Sequence, residues 1–228
     1  MNALILMTRI PIPGKTKTRL MDLLTGDECA GIHMAFLKDL TTTFTELKDI
    51  DVFMTYTPKD SLDILENDIP GLMDSFPQEG EDLGEKMFNA VNQVLLKGYS
   101  KVVLIGSDIP DLSAHDIQDS FEILDKHDVV LGPTYDGGYY LVGMKTPHEK
   151  IFRIPKKWGG KSVLESTIDI GNEQNLTIGL SQKYRDIDTK EDLFEFERKN
   201  ENSKPSHTMK WLLEWRKNDV ERQITKTN

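Results

Sequence analysis

Cysteine and long apolar runs are both scarce in this sequence of 228 residues. Cys29 is the single cysteine, which excludes an intramolecular disulfide framework and a cysteine-rich zinc site. A single thiol fits a reducing compartment. The longest clean apolar runs, such as residues 3–7, have about five residues, whereas a helix that spans a bilayer needs roughly 20. The first residues also lack the basic segment of a signal peptide, so we expect a cytoplasmic protein without a membrane span.

Positive charge is scarce as well. The chain has 28 lysines and arginines against 38 aspartates and glutamates, a formal net charge of −10. Such a surface repels phosphate backbones, so general nucleic-acid binding is disfavoured. Hydrophobic residues make up 38% and charged residues 29%, which is typical of a globular protein able to bury a full core. We expect one domain over residues 1–199, followed by a linker and a C-terminal helix over residues 200–228.

Two motifs of common enzyme classes are missing. The sequence has no Gly-x-Ser-x-Gly elbow, which disfavours a serine hydrolase. Gly-x-Gly-x-x-Gly is absent after the first apolar run, which disfavours a dinucleotide-dependent dehydrogenase. The histidines show no metal-ligand spacing, and we expect all of them at the surface: His33, His115, His127, His148 and His207.

Short apolar runs alternate with longer segments of helical spacing. This alternation predicts an α/β domain with a mainly parallel sheet flanked by helices. We expect strands at residues 3–7, 52–56, 101–106, 129–132, 139–144, 176–180 and 184–187. We expect helices at residues 28–47, 61–66, 83–96, 162–170 and 188–197, and another that begins at Ser113.

The chain changes character after residue 200. Residues 201–206 are polar and include Pro205, as in a linker, and residues 207–223 have helical spacing. Trp211, Leu212 and Trp215 would lie on one side of that helix. The helix either docks on the domain or contacts a partner, so the protein is expected to be a monomer or a homodimer with this helix at the interface.

A basic segment follows the first predicted strand. Residues 8–20 carry Arg9, Lys15, Lys17 and Arg19, with two prolines and Gly14 to shape a loop. Ligands of open parallel sheets bind beyond the carboxyl ends of strands, and backbone amides with Lys and Arg suit a di- or triphosphate. The segment is not a P-loop, because the first glycine of that motif would fall at Arg9. It therefore predicts an anion site, with a solvated basic loop as the alternative.

Asp108 follows the clearest predicted strand, at residues 101–106. A carboxylate at this point, held by the turn at Pro110, is well placed for Mg²⁺ or Mn²⁺. These cations prefer oxygen ligands, and Mg²⁺ usually takes only one or two protein carboxylates in addition to substrate phosphate. Asp108 could instead merely cap a turn, and we expect Asp111 to cap the next helix.

Asp136 lies in a turn-forming segment, residues 132–140, where Gly137 and Gly138 follow it. Glycines supply the positive φ of a hairpin turn, so the segment could be no more than a turn. Alternatively, the glycines let a substrate approach the backbone with Asp136 facing it.

Asp186 and Asp188 form the last acidic segment. If the strand continues through them, alternation would place their side chains on the same face. Asp188 either caps the final helix or supplies a second carboxylate for a metal at Asp108.

Five motifs in fixed order resemble a known family. They are PGKTKTRL at 13–20, QEGEDLGEKM at 78–87, GSDIPDL at 106–112, GPTYDGGYY at 132–140 and DIDTKEDL at 186–193. Residues 1–197 resemble the radical-SAM/selenodomain-associated transferase type 1 family, a GT-A-like group that is similar to phospholactate guanylyltransferase and molybdenum-cofactor guanylyltransferase. Gly106 stands where a full Asp-x-Asp motif would have its first aspartate, and the first loop lacks a glycine-rich pattern.

The resemblance implies a Rossmann-like GT-A domain that binds an NTP or a nucleotide-sugar with Mg²⁺ or Mn²⁺, together with a small-molecule acceptor. It places Asp108 and Asp188 at the metal, and Asp136 with Gly137 and Gly138 toward the acceptor. The residues that it implies for the nucleotide are Arg9, Gly14, Lys15, Lys17, Arg19, Gln78, Asp82, Leu83, Gly84, Ser107, Gly137 and Gly138. Lys15, Lys17 and Arg19 would meet the phosphates, and Gln78 with residues 82–84 would lie near the base or ribose.

These expectations favour a metal-dependent glycosyltransferase in which Asp108, Asp136 and Lys17 are catalytic. Asp136 would be the base for an acceptor hydroxyl. The alternative is a nucleotidyltransferase of the guanylyltransferase kind, which joins an NTP to a phosphorylated small molecule and releases pyrophosphate. A second alternative is a non-catalytic nucleotide-binding protein.

Overall fold

The computed structural model describes residues 1–66, 68–69, 74–154, 162–203 and 206–227. The strands in these ranges form one sheet of seven in the order β3-β2-β1-β4-β6-β5-β7. Only β6 runs against its neighbours β4 and β5, and every other pair is parallel. The strands are β1 (Asn2–Arg9), β2 (Ile50–Thr57), β3 (Asp74–Pro77), β4 (Lys101–Gly106), β5 (Val129–Pro133), β6 (Tyr139–Met144) and β7 (Ile178–Leu180). The predicted mainly parallel α/β sheet is confirmed.

The helices cover both faces of this sheet. They are α1 (Gly26–Phe44), α2 (Asp63–Glu66), α3 (Leu83–Leu95), α4 (Ala114–Lys126), α5 (Val163–Glu173), α6 (Lys190–Asn200) and α7 (His207–Thr227). None of the helices in the described ranges combines the length and apolarity that a bilayer crossing needs.

Alternate residues of β1 enter two different cores. Leu4 and Leu6 pack in one cluster with Leu37 of α1 and Phe121 of α4. Ala3 and Ile5 face α3 on the other side of the sheet. Residues 3–6 are at most 1% exposed. A central parallel strand buried on both faces has a continuous apolar sequence, which is why residues 3–7 could be recognised without any alternation of polar residues.

Side-chain caps fix where several helices begin. Thr25 forms a capping box with Glu28 at the start of α1, and Ser113 accepts the Asp116 amide at the start of α4, as predicted. The cap of α6 is Thr189, whose hydroxyl accepts the Asp192 amide. The alternative in which Asp188 caps this helix is therefore wrong, and its carboxylate accepts from Lys17 and Arg19 instead.

Two elements differ from the sequence prediction. Residues 184–187 do not form a strand, because their backbone bonds are divided between different elements: Tyr184 bridges to Thr134, and the Ile187 amide donates to Asp108 O. The edge strand β3 was not predicted. It has four residues and follows a segment outside the described ranges.

Helix α7 docks on α1. Asp39 is 7% exposed, and its two carboxylate oxygens accept the amides of His207 and Thr208 at 2.6 and 2.9 Å. Gly31 leaves room for Trp211, since a Cβ at that position would lie 2.8 Å from the indole Nε1. The expected C-terminal helix thus packs on the sheet-bearing part of the chain. The boundary at residue 199 and a role of this helix in dimers stay predictions.

Candidate active site

A cleft of about 750 Å³ opens at the edge of the sheet where β1 and β4 end. Since β6 runs opposite to β5, the turn that joins them lies at the same edge and forms part of the wall. Most of the predicted site residues line this cleft: Arg9, Lys15, Lys17, Arg19, Gln78, Asp82, Leu83, Ser107, Asp108, Asp136, Gly138 and Asp188. The structure therefore brings together segments that are up to 179 residues apart in sequence (9 to 188).

Three predicted glycines are not among the described residues that line the cleft. Gly14 has φ +72° in the basic loop, and its backbone lies against Gly26, where a Cβ would come within 2.9 Å of the Gly14 nitrogen. Gly84 is buried in the first turn of α3. Gly137 has φ +93° in the β5–β6 turn. In this structure, these glycines shape the loops around the cleft.

Lys17 joins the basic loop to both predicted carboxylates. Its Nζ lies 2.7 Å from Asp108 Oδ1 and 3.4 Å from Asp188 Oδ1, and it donates to Ile187 O at 2.6 Å. Arg19 reaches the other oxygen of Asp188 at 3.0 Å. The Lys17 side chain is only 5% exposed. A buried ammonium that compensates two carboxylates is an electrostatic arrangement that would be costly to break.

The backbone of Lys17 is left-handed, with φ 47° and ψ 39°. This conformation costs an L-residue roughly 1 kcal/mol or more. It turns the chain into a short 3₁₀ helix, Thr18–Asp22. The Lys17 ammonium lies 5.3 Å from the ring centroid of Phe36, which is fully buried on α1.

Asp108 remains ionised because of its lysine partner. Desolvation works to raise the pKa of this carboxyl, but the charge and hydrogen bond of Lys17 outweigh it and hold the pKa below its usual value. The expected helix-capping role of Asp111 is wrong, since Ser113 caps α4 and Asp111 pairs with Lys199 at 2.8 Å.

Asp136 both forms the turn and lines the cleft. Its Oδ1 accepts the Thr134 hydroxyl at 2.5 Å and the Gly138 amide at 3.0 Å. These bonds close the connection between β5 and β6, as the turn interpretation required. The same residue lies in the cleft wall, as the substrate interpretation required.

Gln78 and the start of α3 form the opposite wall. The Gln78 amide group donates to Thr8 O at 2.9 Å and to Thr55 O at 3.3 Å, which anchors it across the ends of β1 and β2. Asp82 caps α3 by accepting the Glu85 amide, and Leu83 beside it is 44% exposed at the rim. Lys86, which was not predicted, adds a cation to this wall.

The sequence prediction missed His33 and placed it at the surface, which is wrong. It is 2% exposed at the floor of the cleft and contacts Thr8, Thr16 and Ser107. Burial, together with the charge of Lys17, lowers its pKa to about 4, so the imidazole is neutral at pH 7. The signal was present, since residue 33 falls on the apolar stripe of α1 with residues 36, 37 and 40.

Ionisation of the Asp186 carboxyl destabilises the folded protein. Burial, followed by the charges of Asp136 and Asp188, raises its pKa from an ordinary 3.8 to about 6. Because folding raises this pKa, the protonated Asp186 carboxyl contributes stability that is fully present below pH 3.8. This contribution is lost as the pH rises through 6 and the carboxyl ionises. Asp186→Asn is therefore expected to raise the free energy of unfolding at pH 7.5 by about 1–2 kcal/mol, after allowance for solvent screening.

Urea denaturation in metal-free buffer measures this gain, which should shrink toward zero as the pH approaches about 4. Asp119→Asn serves as the control because Asp119 lies on α4 in an exposed pair with His115. That variant is expected to stay within about 0.5 kcal/mol of the wild type. An Asp186→Asn protein that is no more stable than the wild type at pH 7.5 would contradict the prediction.

In the described ranges, no group of three or more His, Cys, Asp or Glu side chains is arranged to hold a metal ion. Two carboxylates nevertheless fit a hard cation in part. Asp108 and Asp188 each have an oxygen within 3.4 Å of the Lys17 ammonium, so both face the same point. Mg²⁺ usually takes only one or two protein carboxylates, with the remaining ligands from phosphate and water. These two residues are the ones that could bind it.

Solved structures share this architecture. A protein of Desulfovibrio desulfuricans G20 described as a "putative nucleotide-diphospho-sugar transferase" is 32% identical, with 96% of each chain covered and a TM-score of 0.86. The 4-diphosphocytidyl-2C-methyl-D-erythritol synthase of Anaerococcus prevotii DSM 20548 is 12% identical, with 84% of this chain and 94% of that chain covered and a TM-score of 0.53. The second likeness concerns the fold alone.

A curated relative gives a similar result in sequence. The 2-phospho-L-lactate guanylyltransferase of Methanocaldococcus jannaschii is 26% identical over 186 residues, which covers 78% of this chain and 75% of the relative. The fold, the cleft and these relatives define a transferase of the nucleotidyl or nucleotide-sugar type with a GT-A-like domain. Residues 40–159 match the family described as "Uncharacterized protein conserved in bacteria (DUF2064)", and the chain belongs to that family. The radical-SAM/selenodomain association stays a prediction.

Proposed function

We propose that the protein is a nucleotidyltransferase, which transfers a nucleoside monophosphate from an NTP to a phosphorylated small molecule. A phosphate oxygen of the acceptor forms the new bond to the α-phosphorus. The bond between that phosphorus and the bridging oxygen breaks, and pyrophosphate leaves with the electron pair. The observation that carries the proposal is the position of Lys17, held between Asp108 and Asp188 at the end of the basic loop.

The charge of the cleft supports a triphosphate donor. In a protein of net charge −10, five cations line this one cleft: Arg9, Lys15, Lys17, Arg19 and Lys86. Three of them, Arg9, Lys15 and Lys86, make no ion pair within the described part of the chain, so their charge is available to a ligand. Preorganised cations that face developing negative charge provide the largest catalytic contribution in many transfer reactions.

The acceptor chemistry favours nucleotidyl over glycosyl transfer. A phosphate acceptor is already ionised, so positioning dominates and no base is required. A hydroxyl acceptor needs a base, and Asp136 is the predicted one. Its Oδ1 already accepts the Thr134 hydroxyl and the Gly138 amide, so this oxygen is engaged in closing the turn. Glycosyl transfer stays the second candidate, because Asp136 lines the cleft and the relative from D. desulfuricans is described as a nucleotide-diphospho-sugar transferase.

Asp108 and Asp188 are the residues that we propose would bind Mg²⁺ or Mn²⁺ beside the phosphates. A divalent ion supplies charge neutralisation at the reacting phosphate when it is bound. Lys17 fixes the two carboxylates, and Arg19 restrains Asp188 from the solvent side. Gln78 and residues 82–84 would lie along the base and ribose.

The test is a panel of the four ribonucleoside triphosphates and of nucleotide-sugars, with Mg²⁺ or Mn²⁺. GTP is the first donor to try, because the curated relatives are guanylyltransferases. We expect one NTP to raise the melting temperature, since a ligand at about 100 times its Kd adds roughly 2.7 kcal/mol of stability. With α-labelled NTP and a set of phosphorylated hydroxy acids that includes 2-phospho-L-lactate, we expect labelled product and pyrophosphate.

The products separate the candidates. Release of a nucleoside diphosphate from a nucleotide-sugar would instead support glycosyl transfer. Tight binding without turnover of any acceptor would support the non-catalytic alternative. If no nucleotide of the panel changes the melting temperature with either metal, the nucleotide site itself is wrong.

A further inference from the structure

His33 occupies the centre of a buried polar network at the floor of the cleft. Its Nδ1 lies 2.5 Å from Thr16 Oγ1, and its Nε2 lies 3.3 Å from Thr8 Oγ1 and 3.1 Å from Ser107 Oγ. The two hydroxyls on the Nε2 side are 3.0 Å apart. His33 and its three partners are each at most 5% exposed. Both ring nitrogens are therefore engaged away from solvent.

Each of the three partners precedes a candidate functional residue in sequence. Thr8 is followed by Arg9, Thr16 by Lys17 and Ser107 by Asp108. The partners also belong to three separate segments: the end of β1, the basic loop and the turn after β4. One side chain of α1 thus links the three places where cations and a carboxylate enter the cleft.

We propose that His33 is a positioning residue, which sets the loop with Lys17 and the turn with Asp108 in register for transfer. It is 2% exposed where it lines the cleft, and its role is exerted through Thr16 and Ser107. The inference rests on the proposed function for its effect on turnover. The effect on geometry stands independently, because Lys17 Nζ is held 2.7 Å from Asp108 Oδ1 in the protein as it is.

Hydrogen bonding, and not the volume of the ring, carries this role. The loop between β1 and α1 has no regular hydrogen-bonded strand to fix it, and Lys17 sits in it with a left-handed backbone. The contact of Nδ1 with Thr16 restrains this loop one residue before Lys17. An apolar side chain of similar size would fill the space but leave three buried hydroxyls with one partner fewer.

The first experiment measures geometry without using activity. Amine-reactive labelling followed by mass spectrometry reports the accessibility of each lysine, and Lys17 is 5% exposed in the wild type. In His33→Ala and His33→Leu, we expect labelling of Lys17 to rise about tenfold, the order of effect of one lost buried hydrogen bond. The labelling of Lys15 and Lys38 should not change. His33→Asn, which keeps polar atoms near Nδ1, is expected to restore most of the protection.

The second experiment measures kcat and KM with the NTP that binds the wild type. We expect His33→Leu to lower kcat by about 10²-fold, because small misplacements of reacting groups have effects of that order. His33→Asn should recover at least part of the loss. Ser120→Ala is the matched control: it removes another fully buried hydroxyl, which donates to Ile117 O on α4. That variant should lose stability and keep the wild-type kcat and Lys17 labelling.

The results separate the two proposals. If His33→Leu keeps the wild-type protection of Lys17, His33 is only a packing residue and the inference is overturned. The inference is also overturned if His33→Leu increases the labelling of Lys17 but leaves kcat unchanged. If the wild type binds no nucleotide, the proposed function fails, and the labelling of Lys17 alone still decides whether His33 positions the loop.

Discussion

Replacing Lys17 by methionine is expected to lower kcat/KM for nucleotidyl transfer by about 10²- to 10³-fold, the effect of removing one preorganised donor at a reacting centre. The substitution keeps most of the side-chain length but removes the ammonium that lies 2.7 Å from Asp108 and 3.4 Å from Asp188. Asp108 then faces the phosphates without its lysine partner, and Asp188 keeps only the contact with Arg19 among these two cations. Lys17→Arg keeps the positive charge but replaces the compact ammonium with a planar guanidinium. Its kcat/KM is therefore expected to lie between those of the wild type and Lys17→Met.

Steady-state kinetics with saturating Mg²⁺ checks this result, with Lys38→Met as the control. Lys38 lies on α1 and pairs with Asp68 at 2.8 Å, away from the cleft-lining residues. The control is expected to keep wild-type kinetics, because exposed ion pairs contribute little. A Lys17→Met enzyme with kcat/KM within a factor of about three of the wild type would rule out the proposed role of this ammonium.

Phe36→Ala is expected to lower the free energy of unfolding by about 3–5 kcal/mol, the range for a fully buried phenylalanine. Phe36 is 0% exposed and packs in the cluster that joins α1 to Leu20, Ile187 and Leu212. It also supports the Lys17 ammonium and contacts the His33 ring at 6.4 Å between centroids. The cavity left by this truncation would loosen the attachment of α6 and α7 as well as the floor of the cleft.

Urea denaturation measures this loss, with Phe194→Ala as the matched control. Phe194 is 38% exposed on α6, with the Arg216 guanidinium over its ring. Its truncation is expected to cost no more than about 1 kcal/mol, because a half-exposed side chain leaves no closed cavity. Equal losses from both substitutions would show that the cluster around Phe36 is not the core that the structure describes.

The sheet and the edge where ligands bind could be predicted because they depend on local patterns. Residues 3–7 and 101–106 are continuous apolar runs, and the polar residues Arg9 and Asp108 follow them directly. The carboxyl ends of parallel strands meet at one edge, so this placement requires no knowledge of packing. Asp188 reached the same cleft although the strand predicted before it does not form, since the Ile187 amide bonds to Asp108 O instead.

Other features depend on packing between distant segments and could not be predicted. The apolar stripe of α1 indicates that His33 is buried, but its partners depend on α1 crossing below the loop of Thr16 and the end of β4, which periodicity does not show. Lys86 enters the cleft only because α3 packs beside β1. The roles assigned to the site residues stay predictions.

The backbone of Lys17 has a consequence for attempts to improve this protein. A glycine would occupy φ 47° without strain, so that substitution is a route to relieve the strain of the backbone. At this position, that route would remove the one side chain that neutralises two acids. Removing one partner of a buried ion pair costs about 3–5 kcal/mol, which outweighs roughly 1 kcal/mol of relieved strain. Engineers who replace residue 17 to gain heat tolerance should therefore obtain a product that is both less robust and inert.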